Sequence, residues 1–260
     1  MIPWLESLST GDAGTVVVGG FVILSLALGY VASRFTSVQV RKEHNDRAGF
    51  ILAVIGVIYA VLLAFVAIGV WERFQQAEAR SYDEASAIAT VYRDAGSFRQ
   101  GARLRKVLRT YVLSVINVEW PRMHRGQRPV LSNALLEAAD RDVRSLPADS
   151  PRLQNIAAQM LMAMDTALAD RRARLTIDSS GISRIMWTTL IAGAVVTVGF
   201  TFLFGFDQTL MQQLMIGGLS FLIGLVLFLI VALDYPFRGS IAVEPEALRA
   251  LLEGFKGMTG

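Results

Sequence analysis

Four stretches of about twenty residues each carry no charged side chain, and they leave the chain few ways to fold. They run from Thr15 to Ala32, Ala48 to Val70, Ile185 to Phe206 and Leu210 to Leu233. At 1.5 Å per residue each is long enough, as a helix, to cross about 30 Å of hydrocarbon. A helix in a water-soluble core is rarely apolar all round over such a length, so four of them point to spans in a bilayer. The overall shift is mild, with 53% hydrophobic and 18% charged residues, because the apolar residues are clustered. The expected fold is therefore an all-α membrane protein with four transmembrane helices as two hairpins flanking a helical extramembrane domain.

Residues 1–14 contain Glu6 and Asp12 and no Lys or Arg, unlike the basic start of a secretory signal. Residues 15–70 then read as the first hairpin, 71–184 as a helical polar domain, 185–233 as the second hairpin and 234–260 as a tail. A polar loop is expected from Ser33 to Arg47. The link between spans three and four, around Asp207, Gln208 and Thr209, is short enough to force an antiparallel turn.

Within 71–184 the periodicity is helical. Ala77, Ala85, Ile88, Val91 and Tyr92 form one stripe, and Gly96 and Gly101 bracket a break. Leu104, Leu108, Tyr111, Val112 and Val115 restart the stripe, which Trp120-Pro121 is expected to end. Leu135, Leu136, Ala139 and Val143 mark a short helix. Asp149-Ser150-Pro151 reads as a cap with proline at the first helical position. The next helix carries Leu153, Ile156, Met160, Met164 and Leu168, continues through Arg171, Arg172 and Arg174 towards the membrane, and breaks near Gly181.

Basic residues near span ends favour the cytoplasm. Arg73, Arg80, Arg171, Arg172, Arg174, Arg184 and Arg238 lie on the side of the domain, against Arg34, Arg41, Lys42 and Arg47 in the first loop. The excess places the domain and both termini inside, as for a multi-pass protein of the inner membrane.

Few residues suggest catalysis. His44 and His124 have no partner at metal-ligand spacing, Cys is absent, and no phosphate loop, dinucleotide fingerprint or nucleophile elbow occurs. Basic residues alternate with acids, and the net charge of +3 carries no nucleic-acid signature. No enzyme, cofactor or metal is expected. Glycines in the spans, among them Gly193, Gly199, Gly217, Gly218 and Gly224, suit close approach of membrane helices.

Span two is the most informative. Gly49, Ala53, Gly56, Ala60, Ala64 and Ala67 give it a smooth face, expected to pack on a neighbouring helix. A bulkier row of Ile55, Ile58, Leu62, Phe65 and Gly69 runs towards Glu72 and Arg73. That row either meets lipid or, around the axis of an oligomer, forms a hydrophobic neck that gates by dewetting, with Glu72 and Arg73 at its mouth. Asp234 reads as a helix end at headgroup level, or alternatively as the partner of a domain arginine.

Several segments together resemble the bacterial bestrophin-like family of membrane proteins. These are Asn45 with Ala48-Gly49-Phe50, Ile58 to Phe65, Trp71, Glu84-Ala85, Tyr111, Glu119-Trp120, Trp187, and Asp234-Tyr235-Pro236-Phe237-Arg238-Gly239 with Glu244 to Leu248. The resemblance runs from Asn45 to Leu248. The family usually shows Asp-Arg-Pro-Phe where Tyr235 stands here. Among the matched positions Asn45, Trp71, Glu84, Trp120, Asp234, Pro236, Phe237, Arg238 and Gly239 are expected to be structural. The distant likeness to bestrophins, which are pentameric anion channels, implies a homo-oligomer in the lipid bilayer, with span two lining the pore and continuing into the cytosolic domain. A membrane-anchored scaffold or sensor that binds a protein partner through its helical domain is the alternative.

Overall fold

The computed structural model describes residues 10–35, 38–127, 132–206, 209–239 and 241–257, and all regular structure among them is helical. The helices are α1 (Thr10–Phe35), α2 (Val38–Glu43), α3 (Asn45–Asp94), α4 (Gly101–Ser114), α5 (Trp120–His124), α6 (Ser132–Arg144), α7 (Pro151–Ser179), α8 (Arg184–Thr201), α9 (Thr209–Asp234) and α10 (Glu246–Gly257). Four of them, α1, α3, α8 and α9, are long and apolar enough to cross a membrane. Residues 1–9 and the Asp207-Gln208 link lie outside the described residues.

Two compact units divide the chain. The first takes Met1–Glu72, Ile182–Asp234 and Gly239–Ile241, and the second Arg73–Gly181, Tyr235–Arg238 and Ala242–Gly260.

In the first unit the most extensive packing joins α1 to α9, the first span to the last. Gly29 permits it locally: a Cβ there would lie 2.7 Å from Ile216. Of the other span glycines, Gly193 and Gly224 sit tight against Tyr59 and Val18, whereas Gly199 and Gly218 face open space. The expected polar loop is partly helical, since α2 occupies Val38–Glu43.

Span three is shorter than its apolar stretch. The helix α8 stops at Thr201, about 27 Å after it starts, and Phe202 to Phe206 leave the helix. Backbone outside a helix must find partners in apolar surroundings, and three polar side chains supply them. The Asn45 carboxamide receives a hydrogen bond from the Gly205 N–H (2.9 Å) and donates one to the Gly205 carbonyl (3.0 Å). Arg41 and Gln212, both buried, donate to the Phe204 carbonyl at 3.3 Å. Arg41 is thus not a free loop charge.

In the second unit one apolar core joins residues of α3, α4, α6, α7 and α10, with Ile88, Leu108, Met160 and Phe255 among its buried members. A 3-10 turn at Ala95–Ser97 follows α3, and Gly101 starts α4. A Cβ on Gly101 would lie 1.7 Å from the Ala95 carbonyl oxygen, so only glycine closes this turn. Helix continues past Trp120-Pro121, contrary to expectation. A π turn at Val115–Glu119, with the Trp120 N–H reaching back to the Val115 carbonyl, leads into α5, and Pro121, which has no N–H to place, follows this widened turn. Ser150 caps α7, its Oγ accepting from the Leu153 N–H at 3.3 Å.

Candidate functional site

On the membrane-spanning part of α3 the buried residues are Ala48, Tyr59, Leu63, Val66 and Val70, the last four at steps of four, three and four. These four make one face of the helix. Tyr59 explains the choice. Its hydroxyl donates to the Leu190 carbonyl at 2.9 Å, and its ring fits over Gly193, where a Cβ would lie 2.4 Å away. The small residue that admits close packing is therefore on α8, not on α3. The smooth row of α3 is not the face covered within this chain: Ala53, Ala60 and Ala64 are exposed and Gly49, Gly56 and Ala67 half-covered.

The opposite face of α3 carries Phe50, Val54, Val57, Val61, Phe65 and Ile68, at steps of four, three, four, four and three, all exposed. Of the bulky row, Ile58 (66% exposed) and Phe65 (72% exposed) belong to this uncovered side, while Ile55, Leu62 and Gly69 are half-covered at its border. Glu72 and Trp71 are exposed. Arg73 is tied back: its guanidinium donates to the Ser180 carbonyl and, at 3.1 Å, to the Ser180 hydroxyl.

The second unit holds a charged core. The Arg174 guanidinium, with no exposed surface, is 2.8 and 3.2 Å from the two Glu84 carboxylate oxygens and 2.7 Å from Glu119. Arg171 donates to the other Glu119 oxygen at 2.8 Å and to Asn133 at 3.0 Å. The Tyr111 hydroxyl donates to Glu84 at 2.5 Å, and Arg174 also lies 4.8 Å above the Trp120 ring. Burial and the neighbouring Glu84 carboxylate push the Tyr111 phenol well above its usual range. Burial alone would raise Glu119, but Arg174 and Arg171 outweigh it and hold its carboxyl below the ordinary value.

The closing segment packs onto this core. Phe237 meets the Trp120 ring edge-on at 5.5 Å, and the Trp120 indole donates to the Val243 carbonyl at 2.9 Å. Arg238 stacks over Tyr235 at 4.3 Å, donates to the Asp178 carbonyl at 3.3 Å, and lies against Gly126, whose φ of 64° favours glycine. Tyr235 thus has the cation of Arg238 over its face. Asp178 is raised to about 6 by burial, against the pulls of Arg238 and Arg174.

Asp234 has no arginine partner among the described residues. In the first unit its two oxygens accept from the Ile182 N–H at 2.7 Å and the Trp187 indole at 3.4 Å. Pro236 continues the turn, its carbonyl accepting from the Val243 N–H at 2.7 Å, and Gly239 has a φ of 75°.

A sequence model of the bestrophin-like domain matches residues 19–248, a region that includes every segment described above from α3 to the start of α10. The chain belongs to the bestrophin-like family.

Solved structures agree on the fold. The bestrophin homologue of the bacterium Klebsiella pneumoniae is similar to this chain with a TM-score of 0.66 at 15% identity, over 92% of this chain and 97% of that one. A point variant of the same homologue gives 0.66 at 13% identity, covering 94% and 99%. A crystal structure described as a membrane protein with a glycine-to-alanine substitution gives 0.69 at 14% identity, covering 94% and 98%. No curated protein matches the chain.

Arg171, Arg174 and Glu119 were not among the expected site residues. Both arginines, counted above among the basic residues near span ends, are buried in the structure. The signal was present in the spacing: Met160, Met164, Ala167, Arg171 and Arg174 continue one stripe at steps of four, three, four and three.

Proposed function

We propose that this protein is an oligomeric ion channel of the bacterial inner membrane, with α3 lining the pore. The supporting observation is the uncovered apolar face of α3. The chain's own packing occupies one side of the helix, and the other, centred on Val57, Val61 and Phe65, is left for lipid or for other copies of the chain. Around an axis, with Ile58 and Phe65 projecting and Ile55, Leu62 and Gly69 at the flank, that face makes a water-repelling constriction. The exposed alanines Ala53, Ala60 and Ala64 would meet the next subunit, and a pentamer follows by analogy with bestrophins.

Glu72 is the exposed charge at the end of the row, whereas Arg73 is held by Ser180; the basic excess of the domain still favours an anion. With Arg171 and Arg174 removed from one side and Arg41 from the other, the remaining basic residues continue to favour residues 71–184 and both termini in the cytoplasm.

Ion flux into liposomes carrying the purified protein tests the proposal. Flux is expected, with Phe65→Ala and Leu62→Ala altering its rate or gating. Absence of flux, or rates unmoved by both substitutions, overturns it. A membrane-anchored scaffold is the second reading, and a monomer by mass in detergent would favour it, since one four-span unit has no axial pore.

A further inference from the structure

A cavity of about 380 Å³ in the second unit is lined by Arg99, Arg105, Lys106 and Arg109, together with Tyr92 and Gly96. No acidic residue lines it. The size falls within the range of small-molecule sites. Elsewhere on this unit Arg103 pairs with Asp142 at 3.2 Å and Arg144 with Asp140 at 2.9 Å. Among the described residues Arg99, Lys106 and Arg109 have no carboxylate partner.

The fourth cation is fixed in place. Arg105 donates from Nε to the Tyr92 carbonyl at 2.9 Å and from Nη2 to the Arg93 carbonyl at 3.2 Å, and it lies 5.1 Å from the Tyr92 ring centre. Phe255 stacks on that ring at 3.7 Å. Gly96 leaves the room: a Cβ there would lie 2.2 Å from Arg105 Nη2. The Nη1 hydrogens of Arg105 make no bond among the described residues, so a positioned guanidinium edge remains available to a ligand. Four like charges around one cavity repel one another and gain when a multivalent anion enters.

We propose that this cavity binds a multivalent phosphate, presented either as a free polyphosphate or as a phosphorylated lipid headgroup. The site is separate from α3's membrane face and does not depend on whether the protein conducts.

Calorimetric titration of the full-length protein in neutral detergent tests it, with sodium tripolyphosphate and a short-chain phosphoinositide as probes. Saturable binding near one per chain is expected, about tenfold weaker in Arg99→Gln and in Arg109→Gln, as for loss of one charge-assisted hydrogen bond. Gly96→Ala, which keeps every charge but displaces Arg105, should also weaken it. Arg152→Gln, an exposed cation elsewhere, should not. Tighter binding of the phosphoinositide, with the same sensitivity, supports the site and assigns its source to a headgroup; tighter binding of tripolyphosphate assigns it to a free anion. Binding of neither probe, an unchanged affinity in Arg109→Gln, or an equal loss in Arg152→Gln would each overturn the proposal. Thermal unfolding of every variant confirms that the comparison is between folded proteins.

Discussion

Arg174 and Glu84 form a fork-to-fork pair at 2.8 and 3.2 Å with neither side chain exposed to solvent. The two residues, on α7 and α3, are ninety apart in sequence, so the pair ties together the two longest helices of the second unit. Glu119 closes the set through the same guanidinium.

Removing the arginine leaves two buried carboxylates without their common cation. Arg174→Met is expected to destabilise the protein by about 3–5 kcal/mol, the range for breaking a buried ion pair. Arg174→Lys should rescue little, because an ammonium cannot serve both carboxylates in the planar geometry of a guanidinium. Unfolding in detergent, followed by circular dichroism, measures both; a lysine variant as stable as wild type would contradict the role given to the fork.

Asp178 gives stability a pH dependence of definite sign. Its carboxyl is raised from 3.8 to about 6 in the folded protein, so the folded state still holds a proton that the unfolded state has lost. Stability from this group therefore falls as pH climbs from about 4 to about 6 and is level above. Glu119 has the opposite tendency at acid pH, so the informative quantity is a difference. The Tm of wild type minus that of Asp178→Asn should decrease across this window, and parallel curves would refute the assignment.

Tyr59 and Gly193 should be energetically coupled. Gly193→Ala would place a methyl 2.4 Å from a ring whose hydroxyl is held by Leu190, an overpacking expected to cost about 1–3 kcal/mol. Tyr59→Leu loses the hydrogen bond but frees the space. In a double-mutant cycle the alanine should cost much less in the Tyr59→Leu background, whereas additive effects would show that the ring relaxes freely.

At Gly101 a substitution that usually helps should do harm. Alanine is favoured over glycine inside helices by about 1 kcal/mol. Here its Cβ would collide with the Ala95 backbone at 1.7 Å, and backbone cannot swing aside as a long side chain can. Gly101→Ala should lower the Tm, while Gly254→Ala, in α10 with nothing near its Cβ position, should leave it level or raise it.

The four spans, the break at Gly96 to Gly101 and the Ser150 cap were legible in the sequence because each depends on local chemistry. Hydropathy over twenty residues, a turn-forming glycine and a serine before proline carry their meaning within one segment. The packed face of α3 was not legible, since Tyr59 chooses it by reaching Leu190 on another helix. Span three was overestimated because Phe202, Phe204 and Phe206 are apolar enough for a membrane, while the polar partners that let them leave the helix sit far away at Arg41, Asn45 and Gln212. The charged core was hidden for a different reason. Arginine at a helix end is usually solvated, and only its register with Met160 and Met164 marks Arg174 as internal.

The buried quartet of Arg171, Arg174, Glu84 and Glu119 sums to zero formal charge, and each member's desolvation is offset by the others. Such a set resists stepwise replacement: any single loss strands a charge in a medium that cannot hydrate it. Evolution can therefore exchange these four positions only in concert, through intermediates that fold poorly, or not at all.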